Sequence, residues 1–538
     1  MSFAIPPTTA AHSANRQIAR SALIVMLAMV ASQLVGLLAK ALTGSTFGTG
    51  MESEAFFAAN RFSEILFNLV AGGALGSAFI PVFTGLLAHE ERPAAWKLAS
   101  SIANLVLLVM TALSLLAAIF APQVVRYLLA PGFASTSPEK EALTAALLRI
   151  QLPSAIIFGL SGLVMGVLNA HQRFLLPALA PAMYQVGWLL GLLALAPSMG
   201  IYGLAWGVVV GAALHLLLQI PPLLRLPELR YSALLGLESP TVREVARLMG
   251  PRLLSVAVVQ LNFLLNTYLA SLQPEGSLAG ISLAFPLMIM PQAAIAQSAA
   301  IAALPTFSTQ AARGKLDEMR ASLGATLRGV LLLAIPATIG LVLLRRPLVA
   351  LVYQRSQFTA QSVELVAWAL LWYGMGLVGH CLVEVVARAF FALHDTKTPV
   401  MVSVAAMSLN LVFSLLFSAA FRRIGWAPHG GLALANSLAT FLEMGALLVL
   451  MRRKLAGLQG KRIAQAVGQA SLAAAGMAGG LLLWLGWSAG RSAGLVALGG
   501  VALGGLIYGL LVTALGVDEV WQAWALVRRM VSGKLSTR

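Results

Sequence analysis

Gln33, Gly36, Lys40 and Thr43 recur at three- and four-residue steps and so share one helical face; Asn60, Glu64 and Asn68 form a second stripe, with Glu54 and Arg61 beside it. Polar and ionised groups inside apolar segments are costly, and they mark cavities, ion paths or substrate contacts. Two such faces on adjacent helices would line a wet vestibule. Lys40 and Arg61 would be its cations, Glu54 and Glu64 its carboxylates, and Gln33 and Asn68 its amides. A plainer reading stays open beside this one, with Arg61 and Glu64 as a structural ion pair and Lys40 snorkelling to a helix end.

Helix breakers add a second signal. Gly72, Gly73 and Gly76 interrupt one apolar run, and Pro286 and Pro291, followed by Gln292 and Gln297, interrupt another. Interrupted helices at corresponding places in two halves point to a transport site, so Gly72, Gly73, Pro286 and Pro291 are expected to be helix breaks that permit gating, with Gln292 facing the substrate. For the glycines, close helix packing is the alternative. Glu384 and Arg388, four apart with the acid first, read as a helix-surface salt bridge. Gln260, Asn262 and Asn266 either line a cavity or bond between helices, and His215, His380, Asn410 and Glu443 are isolated, read most plainly as interior hydrogen bonds, with proton or sodium carriage by a lone His or Glu as the alternative.

Several chemistries are excluded. There is no P-loop lysine motif, nucleophile elbow or zinc-ligand spacing, so no catalytic residue, metal or cofactor is expected and the chain does not read as an enzyme. Its single cysteine, Cys381, cannot form an intrachain disulfide. The formal net charge of +17 carries no aromatic-interleaved basic patch, which argues against nucleic acid and for cytoplasmic loops facing anionic lipid.

The elements that must position these residues are membrane helices. Of 538 residues 59% are hydrophobic and only 10% charged, with a mean hydropathy of +0.86. A chain this long and apolar holds on the order of 14 spans of roughly 20 residues each. They are placed near 20–42, 55–87, 95–119, 141–169, 176–196, 201–223, 243–271, 276–307, 321–344, 360–392, 398–420, 430–451, 464–487 and 493–515. With both termini cytoplasmic, most Lys and Arg fall in inside loops, including Arg225, Arg230, Arg243, Arg247 and Arg252, and later Arg452, Arg453, Lys454, Lys461 and Arg462. Arg345 and Arg346 break that pattern.

The chain also repeats itself. Ala78, Pro81, Phe83 and Thr84 recur as Ala302, Pro305, Phe307 and Ser308, an offset of roughly 224 residues. Phe133 and Phe358, Pro177 and Pro399, and Gly203 to Ala205 and Gly431 to Ala433 follow at nearly the same spacing. The fold class expected is therefore an all-α polytopic membrane protein. Two six-helix bundles, 18–227 and 238–455, would be related by a pseudo-twofold axis, joined around Leu226 to Pro240 and followed by a helix pair at 464–515. Residues 516–538, with Trp521, Trp524, Arg528 and Arg529, read as an interfacial cytoplasmic tail.

From about Ala22 to about Lys454 the chain resembles the MurJ (MviN) lipid II flippases of the multidrug/oligosaccharidyl-lipid/polysaccharide exporter superfamily. The resemblance is carried by Gly48 to Met51 leading into Glu54 to Phe57; Ala130 to Phe133; Leu168, Asn169, Arg173, Phe174 and Pro177 to Pro181; Gly250 and Pro251; Asn266 and Thr267; and Asp395 with Lys397, Thr398 and Pro399. It implies a flippase of the bacterial cytoplasmic membrane that moves a polyprenyl-diphosphate-linked peptidoglycan precursor by alternating access. Such a protein would work as a monomer among membrane lipids, driven by sodium, protons or the membrane potential. Where the family carries cavity arginines this sequence has Gln33, Ala39, Phe67 and Pro286, while Lys40 lies one place from the second, Arg61 matches a basic position and Glu54 an acidic one. Three alternatives follow: Lys40 and Arg61 take over, the cargo is another lipid-linked oligosaccharide, or the protein is a non-transporting scaffold or regulator.

Overall fold

In hydrocarbon every backbone N–H and C=O must be paired within its own segment, which leaves helices as the way for long apolar runs to cross. The computed structural model describes residues 31–70, 74–517 and 519, and within these the ordered elements are all helical. Among the described residues eleven helices are long and apolar enough to span, or twelve if Ala360–Met375 and Leu377–Ala392, bent by 47° at their junction, are one span. The two other expected spans, near 20–42 and 55–87, run into residues outside the described set. The tail expected at 516–538 also lies outside it, except for Gly516, Val517 and Glu519.

Backbone contacts divide the chain into two compact units, Met1–Leu272 and Gln273–Arg538. The division falls after Leu272, whereas the repeat pattern puts the join near Leu226 to Pro240. The first unit contains α1 (31–47), α2 (Met51–Val70), α3 (Ala74–Ala88), α4 (Arg92–Ile119), α5 (Pro138–Ala170), α6 (Leu175–Met199), α7 (Ile201–Leu224) and α8 (Pro240–Ser271). The long α5 packs against α2, α4 and α7, while α8 lies against α2 and α3. Helices α6 and α7 touch through glycine backbone: a Cβ on Gly187 would fall 2.1 Å from the Cα of Gly211. The segment before α8 is strapped to α4, with the Asn104 amide donating to the carbonyls of Ser232 and Leu234, both at 2.9 Å.

The second unit contains α9 (Ser277–Ala312), α10 (Leu316–Leu343), α11 (Arg345–Tyr353), α12 (Ala360–Met375), α13 (Leu377–Ala392), α14 (Lys397–Arg423), α15 (His429–Lys454), α16 (Gly460–Trp487) and α17 (Ala493–Ala514). The expected break at Pro286 and Pro291 is not a gap. Helix α9 runs on through both prolines by widening into a π-turn at Ala293–Gln297. Pro291 offers no N–H, and a turn with longer-range bonds re-pairs the carbonyls without ending the helix. Leu332 on α10 packs in one buried cluster with Ala470 and Ala473 of α16 and Val512 of α17, so the last helix pair is docked on this unit. Arg345 and Arg346, anomalous in the sequence, are accounted for locally: Arg345 donates to the Val342 carbonyl at 2.7 Å, and Arg346 pairs with Glu364 at 2.8 Å.

Candidate translocation site

Helices α1, α2, α6 and α8 build one polar cluster inside the first unit. Arg61 and Glu64 lie three apart on α2, and the Arg61 Nη1 reaches the Glu64 Oε2 at 2.7 Å. The Asn60 amide donates to the other carboxylate oxygen at 2.9 Å, and the Asn68 amide donates to the Glu64 backbone carbonyl at 2.9 Å. Half-buried Lys40, on α1, is within electrostatic reach of both Glu64 and Arg61. From α6 the Tyr184 phenol stands beside Asn60 and Glu64, and from α8 the Phe263 ring lies 5.2 Å from the Arg61 guanidinium. The Trp188 indole N–H donates to the Thr43 hydroxyl at 2.9 Å, which fixes α1 on α6.

The Arg61 and Glu64 side chains keep 25% and 34% of their surface exposed, so solvent or a ligand can reach them. The buried Arg61 Nε and Asn60 Oδ1 have no hydrogen-bond partner among the described residues. Buried polar atoms are rarely left unpaired, and a pairing ligand or water would satisfy them. Chemically, the cluster is a carboxylate paired with one cation and within electrostatic reach of a second, with one spare donor at Arg61 Nε and one spare acceptor at Asn60 Oδ1.

Glu54 sits elsewhere. Ten residues before Glu64, it is about 15 Å away along α2. It is 2% exposed and ion-paired with Lys140 at the start of α5, and the Lys140 ammonium also lies 4.3 Å from the Phe133 ring. Next to Lys140 in sequence, Glu141 accepts two bonds from Arg126 at 2.9 and 3.1 Å. Lys140 was legible only as a charge in a loop; its signal is the Ser137-Pro138 start that places it in the first turn of a helix, where Ser137 Oγ accepts from its N–H. Of the other expected site residues, Gln33 is exposed on α1. Gln292 belongs to the second unit, where its Oε1 is buried without a partner among the described residues. Gly72 and Gly73 fall outside the described residues.

The profile of the lipid II flippase MurJ family matches residues 43–493. The chain belongs to that family. It is 31% identical over 425 residues to a lipid II flippase MurJ of Burkholderia cenocepacia, covering 77% of this chain and 81% of that one. To a probable lipid II flippase MurJ of Vibrio cholerae it is 28% identical over 508 residues, covering 90% and 94%. Among solved structures it is similar to a lipid II flippase MurJ in an inward closed conformation, at TM-score 0.78 and 22% identity over 92% of this chain and 98% of that one. A multidrug resistance MATE family transporter shares the fold at TM-score 0.67 and 14% identity, over 81% and 99%.

Two of the MurJ motifs now have physical reasons. In Ala130 to Phe133, Gly132 lies so close to the end of α8 that a Cβ there would fall 1.9 Å from the Ser271 carbonyl oxygen. Asp395 caps α14, accepting from the Thr398 N–H at 3.0 Å and from its hydroxyl at 2.7 Å. Two of the positions where the resemblance led to an expectation of arginines are packed with apolar side chains: Ala39 is fully buried, and the Phe67 ring lies 4.5 Å from Phe158. The expected surface pair Glu384–Arg388 forms at 2.6 Å. His215 bonds Ser161 at 2.6 Å, His380 bonds Asn436 at 3.1 Å, and Ser414 donates to Asn410 at 2.9 Å, all interior hydrogen bonds.

Proposed function

We propose that the chain flips the lipid-linked peptidoglycan precursor lipid II across the bacterial cytoplasmic membrane, with the diphosphate held by Lys40 and Arg61. The observation that carries this reading is the partly exposed Lys40–Glu64–Arg61 cluster within a chain of the MurJ family. A diphosphate diester has one negative charge on each phosphorus, and cations in a low-dielectric site are its natural partners. Two cations and one carboxylate leave one net positive charge against those two. Neutralising Glu64 with a proton or sodium ion would balance the site, which ties transport to an ion gradient or to the membrane potential.

In this reading Glu64 is a competitor. It holds Arg61 when the site is empty and reclaims it when the cargo leaves, so binding and release are exchanges between two anions. Populations of inward- and outward-open states then shift with occupancy. The bundles 18–227 and 238–455 serve as the moving lobes, the π-turn after Pro291 and the segment around Gly72 and Gly73 as the compliant points, and 464–515 as an added helix pair. Both termini are cytoplasmic and one chain suffices.

A second reading is export of another lipid-linked oligosaccharide, favoured by the apolar packing of Ala39 and Phe67 where the family has arginines; a scaffold that no longer transports draws on the same observation. The test is expression in a bacterium depleted of its own flippase, with lipid II on the outer leaflet measured directly. Restored exposure is expected. Failure to restore either exposure or growth overturns the reading and leaves a different lipid-linked cargo or a non-transporting scaffold.

A further inference from the structure

We propose that the second unit carries a separate phosphate-binding pocket between α10, α16 and the end of α17. A cavity of about 290 Å³ is lined by Arg328, Arg462, Gln465, Gln469, Gly516 and Glu519. Its chemistry is anion recognition: among the described residues two guanidinium groups and two amides converge there against one carboxylate. That carboxylate is committed, because Glu519 pairs with the Arg328 Nε. Arg328 is also held by Gln459, whose Oε1 accepts from Nη1 at 3.0 Å. Gln459 adopts a left-handed backbone at φ 54°, unusual for a residue with a side chain, as the residue that opens α16. Arg328 is thus fixed on one wall, while exposed Arg462 and Gln465 stand on the other.

Among the described lining residues one positive charge is left over, enough for a phosphate diester or monoanion. The surroundings favour a lipid as its source. The pocket sits at the polar ends of α16 and α17, and the next turns of those helices expose Leu472, Leu506 and Leu510 by about three-fifths of their surface (63%, 61% and 61%). A headgroup phosphate in the cavity would place its acyl chains along those leucines, whereas a free phosphate would use the cavity alone. The Lys40–Arg61 cluster belongs to the other unit, so this pocket stands independently of the proposed cargo site.

The test uses the purified full chain, freed of bound lipid, with short-chain phosphatidylglycerol, short-chain phosphatidylcholine and inorganic phosphate as separate probes, followed by native mass spectrometry and thermal shift. Phosphatidylglycerol is expected to be retained, and Arg462→Gln to weaken it roughly tenfold. Glu519→Gln frees Arg328 and is expected to tighten it several-fold. Binding of inorganic phosphate with the same response to both variants keeps the pocket and makes a soluble anion its occupant. Retention of phosphatidylcholine equal to that of phosphatidylglycerol, or an affinity unmoved by either variant, overturns the proposal.

Discussion

Glu54 and Glu64 share one helix and the same side-chain chemistry, yet the structure uses them differently. Glu54 is sealed at 2% exposure against Lys140 and the aromatic ring behind it. Glu64 is a third exposed, pairs with Arg61 and lies within electrostatic reach of Lys40. A sealed pair has no route for exchange, because parting the charges would strand both in a low-dielectric interior. An open carboxylate facing two cations can give one up to an incoming anion. Burial, more than residue type, separates a structural carboxylate from one that can work.

The largest effect should come from breaking the sealed pair. Lys140→Met leaves the Glu54 carboxylate buried without its cation, at a cost of about 3–5 kcal/mol. Thermal unfolding in detergent should show a large loss, and adding Glu54→Gln to Lys140→Met should recover most of it. If the double variant is no more stable than Lys140→Met alone, the pair is not the closed unit described above.

Next is the open cluster. Lys40→Ala with Arg61→Ala should abolish lipid II exposure in the depletion strain while leaving thermal stability little changed, since partly exposed ion pairs contribute roughly 0–1 kcal/mol. A collapse in stability would instead make Arg61–Glu64 a structural pair like Glu54–Lys140 and erase the contrast. Wild-type transport with both cations gone would remove the head-group assignment.

How much of this was legible beforehand follows from what kind of information each feature uses. Span positions come from runs of apolar residues, a local property, and the described helices follow them closely. The Asn60–Glu64–Asn68 stripe was legible because helical periodicity brings those residues to one face. Lys140 was not, because its partner is 86 positions away in sequence and only packing brings α2 to α5. The affiliation of α8 was hidden for the same reason: its sequence groups it with the second repeat, and its contacts with α2 and α3 place it in the first unit. Pro286 and Pro291 read as a break because proline removes a donor, but sequence cannot show that a π-turn absorbs the loss.

A subtler effect separates competitor from anchor at Glu64. Glu64→Gln keeps the shape and removes the charge, so Arg61 and Lys40 are no longer contested. Substrate should bind more tightly while turnover falls several-fold, and the dependence of transport on pH or sodium should flatten. Photocrosslinking to a lipid II analogue reports the first and outer-leaflet labelling the second. Weaker binding together with slower transport would make Glu64 an orienting group that needs its charge, and the exchange scheme would then fail.

The smallest effect lies at a third carboxylate, outside the membrane-spanning segments, which extends the contrast toward the surface. Asp395 caps α14 and accepts from Lys454, and its side chain is 15% exposed. The Lys454 ammonium above all, then the Thr398 hydroxyl and N–H, pull its carboxyl from 3.8 down to about 2. A carboxylate whose folded-state value is depressed adds stability above its unfolded value, and that stability is lost as pH falls through the folded one. The contribution should therefore fade between about pH 4 and about pH 2. Asp395→Asn removes the charge and keeps a capping oxygen, so its cost should be well under the roughly 1 kcal/mol of a lost cap and should vanish in acid, whereas Asp395→Ala should lose the cap at every pH. Comparing both variants with the parent across that interval separates charge from cap. An Asp395→Asn deficit that persists unchanged at low pH would show that Lys454 contributes no charge-dependent stability there, leaving Asp395 as a capping residue alone.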